Sequence, residues 1–151
     1  MAKRDKLYLD VVNAQEAIFS GDVKSLQVTG TVGELGIFPG HTPLLTAIEP
    51  GFVSFRTLDG ELQVVYLSGG IIEVQPSHVN ILADVAIRGA DLDHEAAVEA
   101  KRQAELSLSQ STSEHANQSM DYSAATIQLT NAIAQLRVMA MIRKLKAGSR
   151  H

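Results

Sequence analysis

The sequence has no cysteine, no tryptophan and only four prolines. Without cysteine there can be no disulfide framework, thiolate nucleophile or thiolate metal site, which removes several enzyme classes at once. Long apolar runs are missing too: Asp, Glu, Gln or Ser interrupts each hydrophobic stretch before the eighteen or so residues a membrane helix requires. No Gly-Lys is followed by Ser or Thr, so a phosphate-cradling loop is not expected. The basic start, Met1 to Lys6, runs into a strand pattern at Leu7 without a small-residue cleavage site. It is not read as a secretory signal, and the expected compartment is the cytoplasm.

What is present fits a folded protein of 151 residues, 45% apolar and 20% charged. The net charge of -4 argues against general nucleic-acid binding, which needs a basic footprint. Charge is unevenly spread: the last thirty residues carry five cations and no acid.

From Lys6 to about Ile87, short β-branched runs alternate with turn signals, the pattern of an antiparallel sandwich or barrel. The runs are Leu7–Val12, Glu16–Ser20, Val23–Thr29, Gly33–Phe38, Leu44–Ile48, Gly51–Thr57, Glu61–Ser68, Gly70–Gln75 and His78–Ala83. Asp59-Gly60 is the clearest hairpin turn, with both positions tolerant of positive φ. After Gly89 glycine disappears until Gly148, and Ala, Gln, Glu and Leu become frequent, so a boundary is expected near Arg88. The expected architecture is an N-terminal antiparallel β-sandwich (1–88) followed by a C-terminal α-helical hairpin (89–151).

Asp91 is the expected cap of the first helix, whose face of Leu92, Ala96, Ala100, Ala104 and Leu108 recurs every four residues. Ser109 to Ser119 reads as a polar connection. Asp121 then caps a second helix from about Tyr122, with Leu129, Ala132, Ile133, Leu136, Met139 and Ala140 on one stripe. Arg137, Arg143, Lys144 and Lys146 gather near its C-terminal end, where cations favour the helix dipole.

No catalytic constellation emerges. His41 lacks the companion ligands that a jelly-roll metalloenzyme would need, and a turn histidine with a hydrogen-bonding or interface role is the simpler reading. Asp91 and Asp93 fall where capping explains them. Ser68-Gly69-Gly70 reads as a strand break, not a nucleophile elbow. A charge cluster such as that of the second helix is usually a solvated face, but an acid-free cationic end on an amphipathic rod also suits an acidic partner. For a membrane-surface helix the Trp and Phe anchors are wanting.

The stretch GELGIFPGHTPLL from Gly33 to Leu45 resembles the central signature of the epsilon subunits of bacterial-type F-type ATP synthases. Tyr66 to Pro76 (YLSGGIIEVQP) and Val79 to Asp84 (VNILAD) resemble a second. Further similarity runs through Ala86 to Gly89, Asp91 to Asp93 and Glu99 to Arg102 to Ala132–Val138. This resemblance implies a non-catalytic rotor subunit at the cytoplasmic face of the bacterial inner membrane, with no cofactor. The sandwich would hold the gamma stalk and touch the ring of c subunits, with the segment holding Glu34 and His41 as its partner-facing surface. The hairpin would extend toward the alpha and beta subunits and restrain hydrolysis, with Arg137, Arg143, Lys144 and Lys146 meeting acidic segments. Some members bind regulatory ATP through a pattern ending in Arg-Ala. Here Leu92-Asp93-His94-Glu95-Ala96-Ala97 keeps Asp93 but has Ala96 in place of the arginine, so weak or absent ATP binding is expected. A stand-alone nucleotide-sensing protein is the competing reading.

Overall fold

A computed structural model describes residues 5–31, 33–111 and 119–148. The chain divides into two compact units, Met1–Asp91 and Leu92–His151. The first contains β1 (Leu7–Val12), β2 (Ala17–Gly30), β3 (Gly33–Ile37), β4 (Leu44–Thr57), β5 (Leu62–Leu67), β6 (Gly70–Val74), β7 (His78–Ala83) and β8 (Ala86–Arg88). The strand order is β3-β2-β1-β7-β6-β4-β5-β8, with β2 also paired to β4. The result is a barrel-like sandwich. All pairings are antiparallel except that of β1 with β7, which is parallel.

Alternation along the strands builds the core. Leu7, Leu9 and Val11 of β1 and Val79, Ile81 and Ala83 of β7 point inward and are buried, while their neighbours point out. Each large aliphatic side chain so buried contributes about 1.5–3 kcal/mol. Phe19 and Phe55 meet inside with ring centroids 4.3 Å apart.

Two strands are each a fusion of two expected runs. β2 joins Glu16–Ser20 to Val23–Thr29, and β4 runs straight through Glu49-Pro50-Gly51, where a break was expected. The register explains this: β4 pairs with β6 up to Ile48 and with β5 from Gly51 onward, so Glu49 and Pro50 pair with neither. Proline's missing N–H therefore costs no ladder bond. Opposite, Gly30 pairs with Ile48 and Val28 with Val53, so several β4 residues pass a single β2 residue, Thr29. Its Oγ1 accepts a hydrogen bond from the Phe52 N–H at 3.2 Å.

Turns are held locally. Asn13 Oδ1 accepts from the N–H groups of Gln15 and Glu16, both at 2.9 Å, and so closes the β1–β2 connection. At the expected Asp59-Gly60 turn the glycine takes the positive φ (87°). Gly60 N donates to Thr57 O at 2.9 Å. β8, three residues long, is too short for a period of two to reveal.

In the second unit α1 spans His94–Ser111 and α2 spans Ser119–Gly148. The cap of α1 is Asp93, not Asp91: its Oδ1 accepts from Ala96 N at 3.1 Å and its carbonyl from Ala97 N at 3.0 Å. Asp91 is taken up by a 3-10 turn, Gly89–Asp91. Helix α2 begins before Asp121, the expected cap, and its 30 residues span about 45 Å. The expected polar connection loses its ends to the two helices, and its middle, 112–118, lies outside the described residues.

The expected four-residue stripe on α1 also shifts. Ala97 and Ala104 are buried, Ala100 and Leu108 half-buried, and Ala96 exposed. Each step of four overshoots a turn by about 40°, so such a stripe spirals off the contact, whereas a step of seven nearly returns to it. On α2, Ala125, Ala132, Ala134 and Val138 are buried, Leu129, Ile133, Leu136 and Met139 half-buried, and Ala140 exposed. Hydrogen bonds from Arg102 and then Gln103 hold the Glu99 carboxyl below its usual range. Because that pKa is depressed, the support it gives α1 is present at neutral pH and lost as pH falls through the carboxylate range.

Gly70 shows how closely backbones approach. Its φ is 148°, and a Cβ there would lie 2.1 Å from Leu82 O and 2.8 Å from Ala83 Cα. Gly70→Ala is expected to cost about 3 kcal/mol or more in urea unfolding, because only backbone could yield. Gly60→Ala, with positive φ but open space, should cost about 1 kcal/mol. Equal losses would show that close approach is not what Gly70 serves.

Candidate interaction surfaces

The segment after β3 turns sharply at Phe38–His41, where His41 N donates to Phe38 O at 3.1 Å and Gly40 has φ 87°. Gly40 N also donates to Pro76 O at 2.8 Å, tying this turn to the one between β6 and β7. His41 Nδ1 lies 2.7 Å from Thr42 O. A carbonyl can only accept, so Nδ1 carries the hydrogen of this bond. Phe38 is 64% exposed at the tip. Glu34, on β3, accepts a hydrogen bond from the Gln27 amide of β2. Glu34 is exposed and His41 half-buried on one stretch of chain, and each is steadied by a different partner.

A second surface was not foreseen. On the outer face of β1, β7, β6 and β4, the registers place Val12, Leu82, Ile71 and Ala47 side by side in one cross-strand row. Leu82 is 55% and Ile71 50% exposed, and Leu45, one row away, is 70% exposed. The next row reads Asp10, Asn80, Glu73, Leu45. All of these except Ala47 line a shallow groove. The signal lay in the alternation itself: outward positions of a half-exposed sheet are ordinarily polar, and Leu45, Ile71 and Leu82 are not.

Asp10 is held at the end of its row. Ser20 Oγ donates to its Oδ1 at 2.6 Å, and His78 Nε2 lies 3.3 Å from its Oδ2. The same His78 nitrogen is 2.8 Å from Asn80 Oδ1, and the ring stacks on Tyr8 at 5.3 Å.

On α2, Arg137, Arg143, Lys144 and Lys146 are all exposed. At 100° per residue Arg137 and Lys144 share one side, while Arg143 and Lys146 point elsewhere, so the cations form a collar and not a stripe. Between the helices a groove beside Ala96 is lined by Ala97, Ala100, Gln128, Asn131 and Gln135, without a charged side chain. Asp93 is already engaged as the helix cap. Among the described residues no group of three His, Cys, Asp or Glu could hold a metal, and no helix is long and apolar enough to cross a membrane.

The family model for the β-sandwich domain of the ATP synthase delta/epsilon chain matches residues 6–89, and that for its long α-helix domain matches residues 90–140. The chain belongs to the ATP synthase delta/epsilon family. That makes it a non-catalytic stalk component of a rotary complex, in agreement with the resemblance to F-type epsilon subunits. A chain of the Euglena gracilis mitochondrial ATP synthase shares its fold at TM-score 0.78 and 19% identity, covering 89% of this chain and 82% of that one. A chain from the central stalk and c-ring of the Tetrahymena thermophila mitochondrial enzyme does so at TM-score 0.57 and 12% identity, covering 91% and 99%.

The uncharged groove beside Ala96 generates a prediction. A polyphosphate there would lack a charge-assisted donor, so calorimetric titration of the isolated chain with ATP should give no binding below millimolar concentration. Micromolar affinity would contradict it.

Proposed function

We propose that the chain is the epsilon subunit of a proton-translocating F-type ATP synthase, coupling proton flow to ATP synthesis without chemistry of its own. In this reading the sandwich clamps the gamma stalk and meets the c ring, at the cytoplasmic face of a bacterial inner membrane. The observation that carries it is the match of both halves, in order, to the two domains of one stalk subunit. The exposed aliphatic row and the steadied Glu34–His41 segment support it, because rigid, partly apolar surfaces suit a mechanical joint between proteins.

The helical hairpin is the regulatory part of this proposal. Its cationic collar, near the end of a rod about 45 Å long, meets acidic segments of the alpha and beta subunits when extended and blocks hydrolytic rotation. A switch of this kind needs two poses within a few kcal/mol, and contacts made chiefly by alanines keep the difference small.

Removing α2 by truncation after Ser119 should leave assembly with gamma intact and raise ATP hydrolysis of the assembled enzyme about three- to tenfold, a shift of about 1 kcal/mol. Replacing Arg137, Arg143, Lys144 and Lys146 together by alanine should reproduce most of that rise. Unchanged hydrolysis in both would refute the inhibitory role, and failure to co-purify with gamma would refute the subunit assignment.

A further inference from the structure

We infer that Arg88 is a latch on β8, the last strand of the sandwich. Its bond to the Ile18 carbonyl keeps Ala86–Arg88 in the sheet, and loss of that bond lets these three residues join the link to the hairpin. The latch itself stands on the sandwich alone, whereas its effect on hydrolysis rests on the regulatory reading of the hairpin above.

A fault in the β1–β2 ladder supplies the acceptor. Val11 pairs with Phe19 and Val12 with Ala17, so Ile18 is the extra residue of a bulge and faces no β1 partner. Its side chain is buried in the core, and its carbonyl accepts from Arg88 Nη2 at 2.9 Å, 70 residues away in sequence. A guanidinium makes a charge-assisted bond to such a carbonyl, stronger than a neutral donor would make. Among the described residues no carboxylate forms an ion pair with Arg88, so the carbonyl does not compete with one.

Little else holds β8. It ends the strand order and pairs only with β5, Ala86 with Leu67, Ile87 with Tyr66 and Arg88 with Val65. Of its side chains only Ala86 lies in the core, so the apolar area that retains it is small. An edge strand this short frays unless something pins it. Upstream the chain is clamped twice at Val85, whose N–H donates to Ser68 Oγ at 2.9 Å and whose carbonyl accepts from Ser68 N at 3.0 Å. Release is therefore confined to Ala86–Arg88. With the latch closed, five residues, Gly89–Asp93, connect β8 to α1; with it open the link is eight, Ala86–Asp93. The added residues extend its reach by about 10 Å. A slacker link lowers the effective concentration of what it carries, here about twofold.

The test follows amide hydrogen exchange by NMR in the full-length chain. In wild type the slowest amide of Ala86–Arg88 should exchange about a hundredfold more slowly than in an unstructured peptide. In Arg88→Ala it should come within about tenfold of the peptide rate, while Leu7–Val12 and His78–Ala83 exchange as in wild type. Arg88→Lys, which keeps the charge without the planar fork, should be intermediate. In the assembled enzyme Arg88→Ala should raise ATP hydrolysis about twofold, and should add nothing once the chain is truncated after Ser119. Wild-type exchange at Ala86–Arg88 in Arg88→Ala overturns the latch. Faster exchange throughout the sandwich overturns it too, because Arg88 is then a general support of the fold. Should Arg88→Ala fail to fold, Arg88→Lys decides: loosening confined to Ala86–Arg88 supports the latch and unchanged exchange there overturns it. Local release with hydrolysis unchanged, or raised even after truncation, overturns the link to the hairpin. If truncation alone leaves hydrolysis unchanged, the regulatory reading fails while the exchange result still judges the latch.

Discussion

The fold of the first unit turns on the crossing of β2 and β4. Each is 14 residues long and pairs with three strands, β2 with β1, β3 and β4, and β4 with β2, β5 and β6, so the sheet closes on itself through backbone hydrogen bonds and not only through side-chain packing. At the corner Glu49 and Pro50 leave the registers, Thr29 supplies a side-chain oxygen to Phe52 N, and Gly51 permits the approach. A Cβ on Gly51 would sit 2.4 Å from Thr29 Oγ1. This corner turns a pair of flat sheets into a nearly closed barrel, which leaves fewer free edges and a stiffer body. The stalk role proposed above, in which the lobe would transmit load between partners, calls for that stiffness.

The same closure decides where interaction surfaces can lie. With edges largely paired, backbone addition of a partner strand is disfavoured, and recognition falls to outward side chains and to turns. The apolar row of the outer face and the turn carrying Phe38 and His41 are surfaces of those two kinds. Both are anchored, the first by the registers of four strands and the second by Gly40 bonding to Pro76. Neither needs to order itself when a partner arrives.

Most strands were legible because burial on one face of a sheet imposes a period of two that survives in single side chains: Leu7, Leu9 and Val11 announce β1 without help from any neighbour. What could not be read depends on partners distant in sequence. Whether Pro50 ends a strand is settled by β5, β6 and Thr29, and the parallel pairing of β1 with β7 by two segments about seventy residues apart. On α1 the expected face drifted for a geometric reason, since a spacing of four cannot track a straight contact for five positions, whereas the α2 stripe, spaced by three and four, is buried or half-buried at every position but Ala140. Glu34 and His41 were named through the family resemblance, but the cross-strand row exists only after four strands are placed in register. Outward aliphatics in β4, β6 and β7 were visible, yet alone each is an unremarkable surface residue.

The two units meet the problem of specificity differently. On the sandwich, Asp10 is fixed by Ser20 and His78, and Glu73 stands one row from an aliphatic strip. On the hairpin, Arg137, Arg143, Lys144 and Lys146 form an exposed collar near the C-terminal end of α2. A positioned carboxylate pair discriminates one register of a partner from the next, because a displaced cation leaves a desolvated acid behind. A collar cannot discriminate so finely; it attracts any acidic surface within a Debye length and lets go as easily. Permanent attachment calls for the first arrangement and reversible engagement for the second. The two arrangements lie on separate units of the chain.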